Sequence, residues 1–435
     1  MIDRRQMLAA TAGVGLGLGL AGRAAAAAAG GLRQAARDAW IFTLPLMEVA
    51  RTRYVRAAAG INRLGHAEAL SDYAARAVTT PNNDTLYSSA QIDLSRGPAT
   101  FTVPSGRGRY ISVALMDAYS NNFAVLGTRT TPDGGTFTLV GPGAEAPKGA
   151  IRSPTSHVWL LGRTLVASAE DFAAARQVAE GITLKAPEDA PPAPAIPRRG
   201  APWGEYFKTA SLLLGLNPPL PADAAMVRRM APLGLGPDFD PARFTPAQGA
   251  EIEAGIAEAR ASLSGGVSGR KYLQGWSYPK ADLGDFGQDY PYRAAVALGG
   301  LAALTVDEAM YMQAEGEGRG RFAPGGLWRL HFPAGSLPPV NAFWSLSMYE
   351  ATPEGQYFFT QNPLDRYAIG DRTPGLSRNA DGSLDIWIGH ADPGPDRRAN
   401  WLPAPATPFS VFLRAYLPKA ELRRGLYRLP PLQRV

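Results

Sequence analysis

Short runs of strand-forming residues occur in two blocks of the chain, and they constrain its fold more than any other feature. Each run alternates or is rich in β-branched residues, and most runs end at Gly, Pro, Asp or Asn, as short strands joined by turns do. The first block comprises TFTVPS (100–105), RYISVALMD (109–117), NFAVLGTRT (122–130), TFTLVGP (136–142) and HVWLLGRTL (157–165). The second comprises LWRLHFPAG (327–335), AFWSLSMYE (342–350), RYAIGD (366–371), LDIWIGH (384–390) and PFSVFLRAYLP (408–418).

A proline- and alanine-rich stretch, residues 186–202, lies between the two blocks. Its prolines exclude a helix or a central strand, so we interpret it as a linker or a long excursion. Helical patterns occur before the linker at 31–60 and about 168–182, and after it near 203–215, 222–232, 246–264 and 290–304. Pro45 should kink or split the first of these helices, and Thr245 should cap the helix that begins at 246. The sequence therefore predicts an α+β chain, mainly β, with two antiparallel sandwiches and a helical connecting region.

The length of 435 residues favours more than one domain, because a single small core does not grow to that size. With 46% hydrophobic and 19% charged residues, the composition is that of a folded globular protein. We divide the chain into an export signal (1–29), an N-terminal helix with a β domain (32–185), a proline-rich linker with a helical region (186–289) and a C-terminal β domain (290–435).

The first 29 residues have the features of an export signal. Arg4 and Arg5 precede a short apolar stretch and then an alanine run with possible cleavage points near 25–29. DRRQML resembles the twin-arginine export motif, although paired arginines also occur in Sec signals. We expect cleavage and a periplasmic or secreted mature protein. The apolar stretch is too short for a transmembrane helix, and no other segment is apolar enough to span a membrane.

Charge and cysteine content exclude several classes of function. The formal charge is +6, but the basic residues are scattered rather than concentrated in a stripe, so we do not expect nucleic-acid binding. The chain has no cysteine, which excludes disulfides, thiolate nucleophiles, iron–sulfur clusters and cysteine zinc sites. No nucleotide, flavin or haem fingerprint is present, so we expect no obligatory cofactor.

The four histidines form no local metal-binding motif, and we expect no metal site. His157, His331 and His390 lie at or within predicted strands, where a histidine is more often buried and bonded to a neighbouring group than metal-bound. If a metal were nevertheless found, these three would be the first ligands to test.

The stretch TTPNNDTLYSSAQIDL (79–94) is the first candidate site. Pro81 should bias Thr80 toward extended geometry, and asparagines that follow such a proline are turn formers. One interpretation is structural, with a capping aspartate and a buried tyrosine. The other is a pocket lined by Asn83, Asp84 and Tyr87 together with Asp117 and Asn121. In that pocket Asp84, Tyr87 and Asp117 would be catalytic, Asp84 as the acid, base or orienting group and Tyr87 as a donor to developing negative charge.

Aromatic residues beside polar ones form a second candidate group in the last third of the chain: Trp344, Tyr349, Tyr367, Asn400 and Trp401. Such residues make either a sandwich core with a polar rim or a stacking wall for a ligand. Alternation in AFWSLSMYE predicts Phe343, Ser345, Ser347 and Tyr349 on one face of the strand, and the intervening residues on the other.

Several long motifs carry a resemblance to known families. PNNDTLYSSAQIDLSRGP and GRYISVALMDAYSNNFAVLGTR resemble the signature of the domain-of-unknown-function family 1254. PPVNAFWSLSMYE, NPLDRYAIGD, NADGSLDIWIGHADPG and FSVFLRAYLPK resemble family 1214, its usual C-terminal partner. The resemblance covers most of 35–180 and 290–435. It implies two jelly-roll-like β domains with a helical connection, and it implies no activity.

Two functions stay open at this point. The first is a periplasmic enzyme, hydrolytic or lyase-like, that acts on an envelope or imported small molecule. The second is a non-catalytic protein that binds a carbohydrate or other small ligand, or maintains the envelope; a homo-oligomer is compatible with both. Raised carboxylate pKa values in a shared cleft would favour the enzyme, whereas an open aromatic face without them would favour binding.

Overall fold

The computed structural model describes residues 31–76, 79–264, 271–314, 316, 321–352 and 356–435. The expected export signal lies outside these residues. The described chain divides into two compact units, one formed by 31–47 and 196–264 and the other by 48–195 and 271–435. The domain boundaries expected from the sequence stay predictions, because these units are defined by contacts rather than by order along the chain.

The first unit is helical. Its helices are the beginning of α1 (31–56), then α3 (Trp203–Leu216), α4 (Ala224–Met230) and α5 (Pro246–Ser264). α5 crosses α1 at Gly255, where a Cβ atom would lie 2.2 Å from the carbonyl oxygen of Arg33. Beside this crossing, Arg33 Nε donates to Glu251 Oε2 at 2.7 Å. Close backbone approach therefore requires glycine at this position.

Two helix-boundary expectations have different outcomes. The cap of α5 is confirmed, since Thr245 Oγ1 accepts from Gln248 N at 3.3 Å while Gln248 Oε1 accepts from Thr245 N at 2.9 Å. The expectation that Pro45 could split the first helix is wrong, because helical conformation continues from 31 to 56. Phe42 and Leu46 on either side of the proline are buried, and such packing offsets the lost backbone bond.

The second unit contains four β-sheets and the remaining helices. Its strands are β1 (Leu64–His66), β2 (Thr85–Asp93), β3 (Ala99–Val103), β4 (Ile111–Met116), β5 (Asn122–Gly127), β6 (Gly135–Val140), β7 (Ile151–Arg152), β8 (His157–Leu165), β9 (Thr183–Lys185), β10 (Lys271–Leu273), β11 (Trp276–Tyr278), β12 (Ala309–Ala314), β13 (Trp328–Phe332), β14 (Val340–Ala351), β15 (Tyr357–Phe358), β16 (Ala368–Gly370), β17 (Leu384–Gly389), β18 (Trp401–Pro403), β19 (Phe409–Pro418) and β20 (Leu432–Arg434). Its helices are α2 (Phe172–Glu180), α6 (Tyr290–Gly299), α7 (Pro395–Arg398) and α8 (Ala420–Arg423), with the end of α1.

Strands from the first block form two sheets that share one core. The first sheet has the order β1-β2-β8-β4-β5 and is antiparallel throughout. The second has the order β7-β6-β3-β9, with β6 and β7 parallel. Ile92, Val113 and Leu160 of the first sheet pack with Phe101 and Leu139 of the second. These apolar side chains lie on the facing sides of the two sheets, which is why the two sheets pack together.

Strands from the second block repeat this arrangement. The third sheet has the order β10-β11-β12-β19-β14-β15, with β16 also paired to β14, and the fourth has the order β18-β17-β13-β20. Trp344 and Leu413 of the third sheet share a core with Phe332, Ile386 and Leu402 of the fourth. The chain is thus mostly β-sheet with several helices, as predicted, whereas a jelly-roll order of the strands stays a prediction.

The first and third sheets contact each other through their remaining faces. Tyr110 packs edge-on to Phe343 with ring centroids 5.7 Å apart, and Phe343 stacks on Tyr416 at 4.1 Å. Polar side chains continue this contact, and we name them the inter-sheet seam: Asn82, Asp84, Ser345, Tyr349, Arg414 and Tyr416. The seam brings the 79–94 stretch against strands that lie more than 250 residues later in the chain.

Strand prediction succeeded where alternation was long. The predicted face of β14 is confirmed: Trp344, Leu346 and Met348 lie in the core, whereas Ser345 and Tyr349 lie in the seam. Short strands such as β10, β11 and β20 were not predicted, because two or three residues carry no period. Within the described residues, no helix is both long and apolar enough to cross a membrane.

Candidate active site

The turn at Asn82 positions the candidate site. Asn82 Oδ1 accepts from the backbone N–H of Asp84 at 2.6 Å, which is the turn chemistry expected of asparagine. Its Nδ2 donates to Thr85 Oγ1 and to the hydroxyl of Tyr416, each at 3.0 Å. One side chain therefore shapes the turn and attaches it to β19.

A buried arginine holds the beginning of the same turn. Arg414 Nη2 donates to the carbonyl oxygens of Thr80 at 3.0 Å and Pro81 at 3.2 Å, and Tyr349 donates its hydroxyl to Pro81 O at 2.6 Å. Thr80 has φ +53°, so the expectation of extended geometry there is wrong. Left-handed backbone is costly for a β-branched residue, and the bonds to its carbonyl and to its N–H, which donates to Tyr357 O, stabilise it.

Asp84 lies at the end of this turn and is buried, with 5% of its surface exposed. Its Oδ2 accepts from Ser345 Oγ at 2.6 Å, and its Oδ1 lies 3.1 Å from Arg372 Nη2. Both carboxylate oxygens are thus bonded, one to a hydroxyl and one to a guanidinium. A buried carboxylate in this state is held in one orientation.

Arg372 is shared between two carboxylates. Besides Asp84, its Nε lies 3.8 Å from Asp371 Oδ1, and its Nη1 donates to the carbonyl oxygen of Val166 at 2.9 Å. The guanidinium also lies 4.1 Å from the ring centroid of Phe343, within range of a cation–π interaction. The arginine therefore connects the loop after β16 to the end of β8.

Asp371 is the carboxyl group in this arrangement whose protonation is perturbed toward neutrality. Burial raises the pKa of Asp371 to about 6, while Arg372 and the N–H of Trp344 oppose the rise and the neighbouring Asp84 adds to it. The Trp344 N–H donates weakly, at 3.3 Å to Oδ2. A carboxyl group with such a pKa exchanges a proton readily near neutral pH.

An open cavity of about 620 Å³ lies over this arrangement. Asn83, Asp84, Ser345 and Arg372 form part of its wall, and Asp371 lies between two lining residues, Gly370 and Arg372. The other lining residues come from three segments, around residue 70, from the end of β8 to α2, and from the loop around β16: Leu70, Val166, Ala167, Ser168, Ala169, Glu170, Phe172, Leu364, Asp365, Arg366, Tyr367, Ala368, Ile369, Gly370, Thr373 and Pro374. The volume is that of a small-molecule site.

The loop before β16 is fixed by an asparagine. Asn362 Oδ1 accepts from the N–H groups of Leu364 at 3.2 Å and Arg366 at 3.1 Å. Asp365 lies between them with φ +46°, a conformation that aspartate tolerates better than most residues. Its Oδ1 accepts from the Tyr367 hydroxyl at 3.4 Å. The loop thus presents a carboxylate at the cavity wall.

Tyr87, Asp117 and Asn121 do not line this cavity. Asp117 accepts from the N–H of Tyr119 and from the N–H and side chain of Asn121, each at 2.9 Å, and burial raises its pKa. The two residues therefore order their own turn. Tyr87 packs in a separate cluster, with its ring centroid 5.6 Å from the guanidinium of Arg163.

Four of the five aromatic-group candidates are also outside the cavity. Trp344 and Trp401 are 1% exposed, and Trp401 Nε1 donates to Gly389 O at 2.8 Å. Tyr349 lies in the seam, and Asn400 Nδ2 donates to the carbonyl oxygens of Ser377 and Asp385. Tyr367 is the member that lines the cavity. Burial of the others leaves no open aromatic face among these five residues.

The histidines considered as fallback ligands are each bonded to a different neighbour. His157 Nε2 lies 3.2 Å from Asp93 Oδ2, His331 Nδ1 lies 2.7 Å from Asp385 Oδ1, and His390 Nδ1 lies 3.0 Å from Ala404 O. Across the described ranges, no three His, Asp or Glu residues are grouped in a way that could hold a metal ion.

The sequence reasoning selected Asn83, Asp84 and Tyr367, counted Asp365 and Asp371 only among the general carboxylate candidates without a role in this site, and missed Arg372 and Glu170. An available signal was the pair formed by Asp371, the last residue of RYAIGD, and Arg372 directly after it, because charged residues at a strand end are placed at a sheet edge. Ser345 was assigned to the correct face of its strand without a role. The pairing of Ser345 with Asp84 could not be derived, since 261 positions separate them.

Two family models and two of the solved structures are similar to this chain. The model of DUF1254, described as "Protein of unknown function", matches residues 61–186, and the model of DUF1214, with the same description, matches 308–420. The crystal structure of the VPA0106 protein from Vibrio parahaemolyticus is similar, with a TM-score of 0.67 and 21% identity over 93% of this chain and 100% of that one. A putative uncharacterized protein from Burkholderia cenocepacia has a TM-score of 0.45 and 14% identity, over 96% of this chain and 97% of that one. No curated protein matches the chain.

Proposed function

We propose that the protein is a hydrolase or lyase that acts on a small molecule. The chain belongs to the DUF1254 and DUF1214 families, whose two models together match more than half of it. Because the descriptions of these families name no activity, the proposal is argued from the cavity. The observation that carries the proposal is one guanidinium, Arg372, which lines a cavity of about 620 Å³ and lies between the bonded carboxylate of Asp84 and the carboxyl group of Asp371, whose pKa is raised to about 6. Perturbed acids beside a cleft are typical of catalytic sites.

In this proposal Asp371 is the general base. With a pKa of about 6 it is mostly ionised at pH 7, and it is still basic enough to accept a proton from a substrate or from water. Arg372 positions Asp371 and lowers the cost of its charge, and Asp84 with Ser345 fixes Arg372. Asn83 and Tyr367 contact the ligand from two sides of the cavity.

We further propose that the protein is exported and acts in the periplasm or outside the cell on an envelope compound or an imported compound. We also propose that the strands of its two β domains have a jelly-roll-like order. The support for export is Arg4 and Arg5 followed by a short apolar stretch. Cell fractionation with N-terminal sequencing tests it: a mature chain that starts near residues 25–29 supports export, and a full-length cytoplasmic chain contradicts it.

The catalytic proposal is tested by a screen of hydrolase and lyase substrates followed by a variant comparison. Asp371→Asn keeps the size of the side chain but removes its basicity, so we expect kcat/KM to fall by about 100-fold or more. For the intact protein kcat/KM should rise with pH through about 6, because the base must be ionised. Asp133→Asn, which changes an exposed aspartate in a turn, is the matched control and should leave kcat/KM unchanged.

A non-catalytic ligand-binding protein is the second candidate. Its support is that Asp84 has both oxygens bonded and that Ser345 is 1% exposed, so neither is available as a free nucleophile or base. Under this alternative Asp371→Asn changes no turnover, and a ligand recovered with the protein is released unchanged.

A further inference from the structure

The charged donors of the cavity wall are already engaged by the protein. Arg366 donates Nη1 to the carbonyl oxygens of Ala399 at 3.0 Å and Trp401 at 2.8 Å, so its charge is directed to a backbone turn. Arg372 is occupied by Asp84, by Val166 O and by the ion pair with Asp371. These are the only two basic side chains among the lining residues, and both already donate to protein groups.

The acceptors of the same wall are not engaged in this way. Asn83 donates its Nδ2 to Ser71 O at 2.6 Å, which leaves Oδ1 as an acceptor. Asp365 accepts one long bond from the Tyr367 hydroxyl, and its other oxygen has no partner among the described residues. Glu170 is exposed, and the Ser168 hydroxyl lowers its pKa, so it is ionised at neutral pH. A ligand that fits this wall must therefore donate hydrogen bonds.

The charge of the cavity wall also favours a ligand that donates hydrogen bonds, in particular a positively charged one. Asp84, Glu170 and Asp365 line the cavity, and Arg372 is already paired with the first of them. Counted together, the three lining carboxylates and the two lining guanidiniums of Arg366 and Arg372 give the wall a net formal charge of −1. Electrostatic complementarity selects a partner of opposite sign, and attraction is stronger in a partly desolvated cavity than in open water.

We propose that the cavity takes a small organic cation, with a primary ammonium or guanidinium group directed at Asp365, Glu170 and Asn83 Oδ1 and an apolar body against Phe172 and Leu364. This inference rests on the proposed function, because it names the ligand class of the same site. The ring of Tyr367 lies beside Asp365 and is able to add a cation–π contact.

Three probes of nearly equal shape and different charge test the ligand class: phenethylammonium, 2-phenylethanol and 3-phenylpropanoate, each titrated calorimetrically into the full chain at low salt. We expect the ammonium to bind at least about tenfold more tightly than the alcohol, and the carboxylate to bind more weakly still. Asp365→Asn should weaken ammonium binding about five- to tenfold and leave alcohol binding unchanged. Asp133→Asn should leave both unchanged.

Two outcomes overturn the inference. One is equal or tighter binding of the alcohol or the carboxylate; the other is no difference between the intact protein and Asp365→Asn for the ammonium, which includes the absence of binding. Failure of the proposed function is a different result, because it is measured as turnover that is unaffected by Asp371→Asn, whatever the charge of the substrate.

Discussion

At the scale of one residue, Asp371 is the proposed general base, and its charged form destabilises the folded protein. Its pKa of about 6 lies above the ordinary value of 3.8 because burial disfavours the charged form. The folded protein therefore binds this proton more tightly than the unfolded chain. The stabilisation from protonation is fully present below about pH 4, and it is lost as the pH rises through 6.

Replacement of Asp371 by Asn should consequently stabilise the protein at pH 7.5, by about 1 kcal/mol or less because solvent screens this partly exposed carboxylate, and have little effect at pH 4. The measurement is urea denaturation of both proteins across this range, read as the difference between them so that other carboxylates cancel. A variant less stable than the parent at pH 7.5 would show that the bond to Trp344 N outweighs the buried charge.

Asp84 should behave in the opposite way, because its charge is paired. Asp84→Asn leaves Arg372, in a mostly buried position, with only the longer 3.8 Å ion pair to Asp371, and we expect a loss of about 2–4 kcal/mol. Ser345→Ala removes one hydrogen bond and should cost about 1 kcal/mol. A double-mutant cycle measured by urea denaturation should give a coupling of about 0.5–2 kcal/mol. Strict additivity of the two changes would mean that the bond between them contributes nothing.

At the scale of elements, the crossing of α5 over α1 in the helical unit depends on one missing methyl group. Gly255→Ala places a Cβ 2.2 Å from Arg33 O, so the helices must separate, and we expect a loss of about 1–3 kcal/mol. Gly249→Ala, on the same helix, meets its nearest atom, on Trp203, at 3.5 Å and should stabilise by about 0.5–1 kcal/mol. Thermal unfolding distinguishes the two, and equal effects of both changes would contradict the crossing.

Helices and strands could be predicted from the sequence where a pattern among neighbouring residues specifies them. Alternation identified β14 and the side of it that carries Ser345, and proline content identified the 186–202 stretch, which contains no helix or strand. The cavity was not predictable, because its wall combines segments near residues 83, 170 and 370 that no local pattern links. For the same reason the sequence could not assign Trp401 either to the core or to a ligand-binding wall. The assignment depends on tertiary contacts such as its hydrogen bond to Gly389 O.

At the scale of the whole sheet-containing unit, the seam should make the two β blocks unfold together. Arg414→Met keeps most of the apolar stem but removes the donor to the carbonyl of Thr80 and to the hydroxyl of Ser347, and leaves Pro81 O with the Tyr349 hydroxyl alone, at a cost of about 3–5 kcal/mol. Hydrogen exchange should show protection falling by similar factors in β2 and in β19.

Arg424→Met, which changes an exposed arginine, is the control for this comparison and should leave protection unchanged. Protection lost in β19 alone would indicate that the blocks are independent and that the seam does not couple them.

The seam also orders events in time while the chain is being made. Asp84 is synthesised 261 residues before Ser345 and 288 before Arg372, and the carbonyl of Thr80 appears 334 residues before Arg414. At ordinary elongation rates of about 5–20 residues per second, the turn at Asn82 waits tens of seconds for its partners. The nascent N-terminal block therefore leaves the ribosome before its seam contacts can form, and a transport route that accepts only folded cargo would have to act after Arg414 has been synthesised.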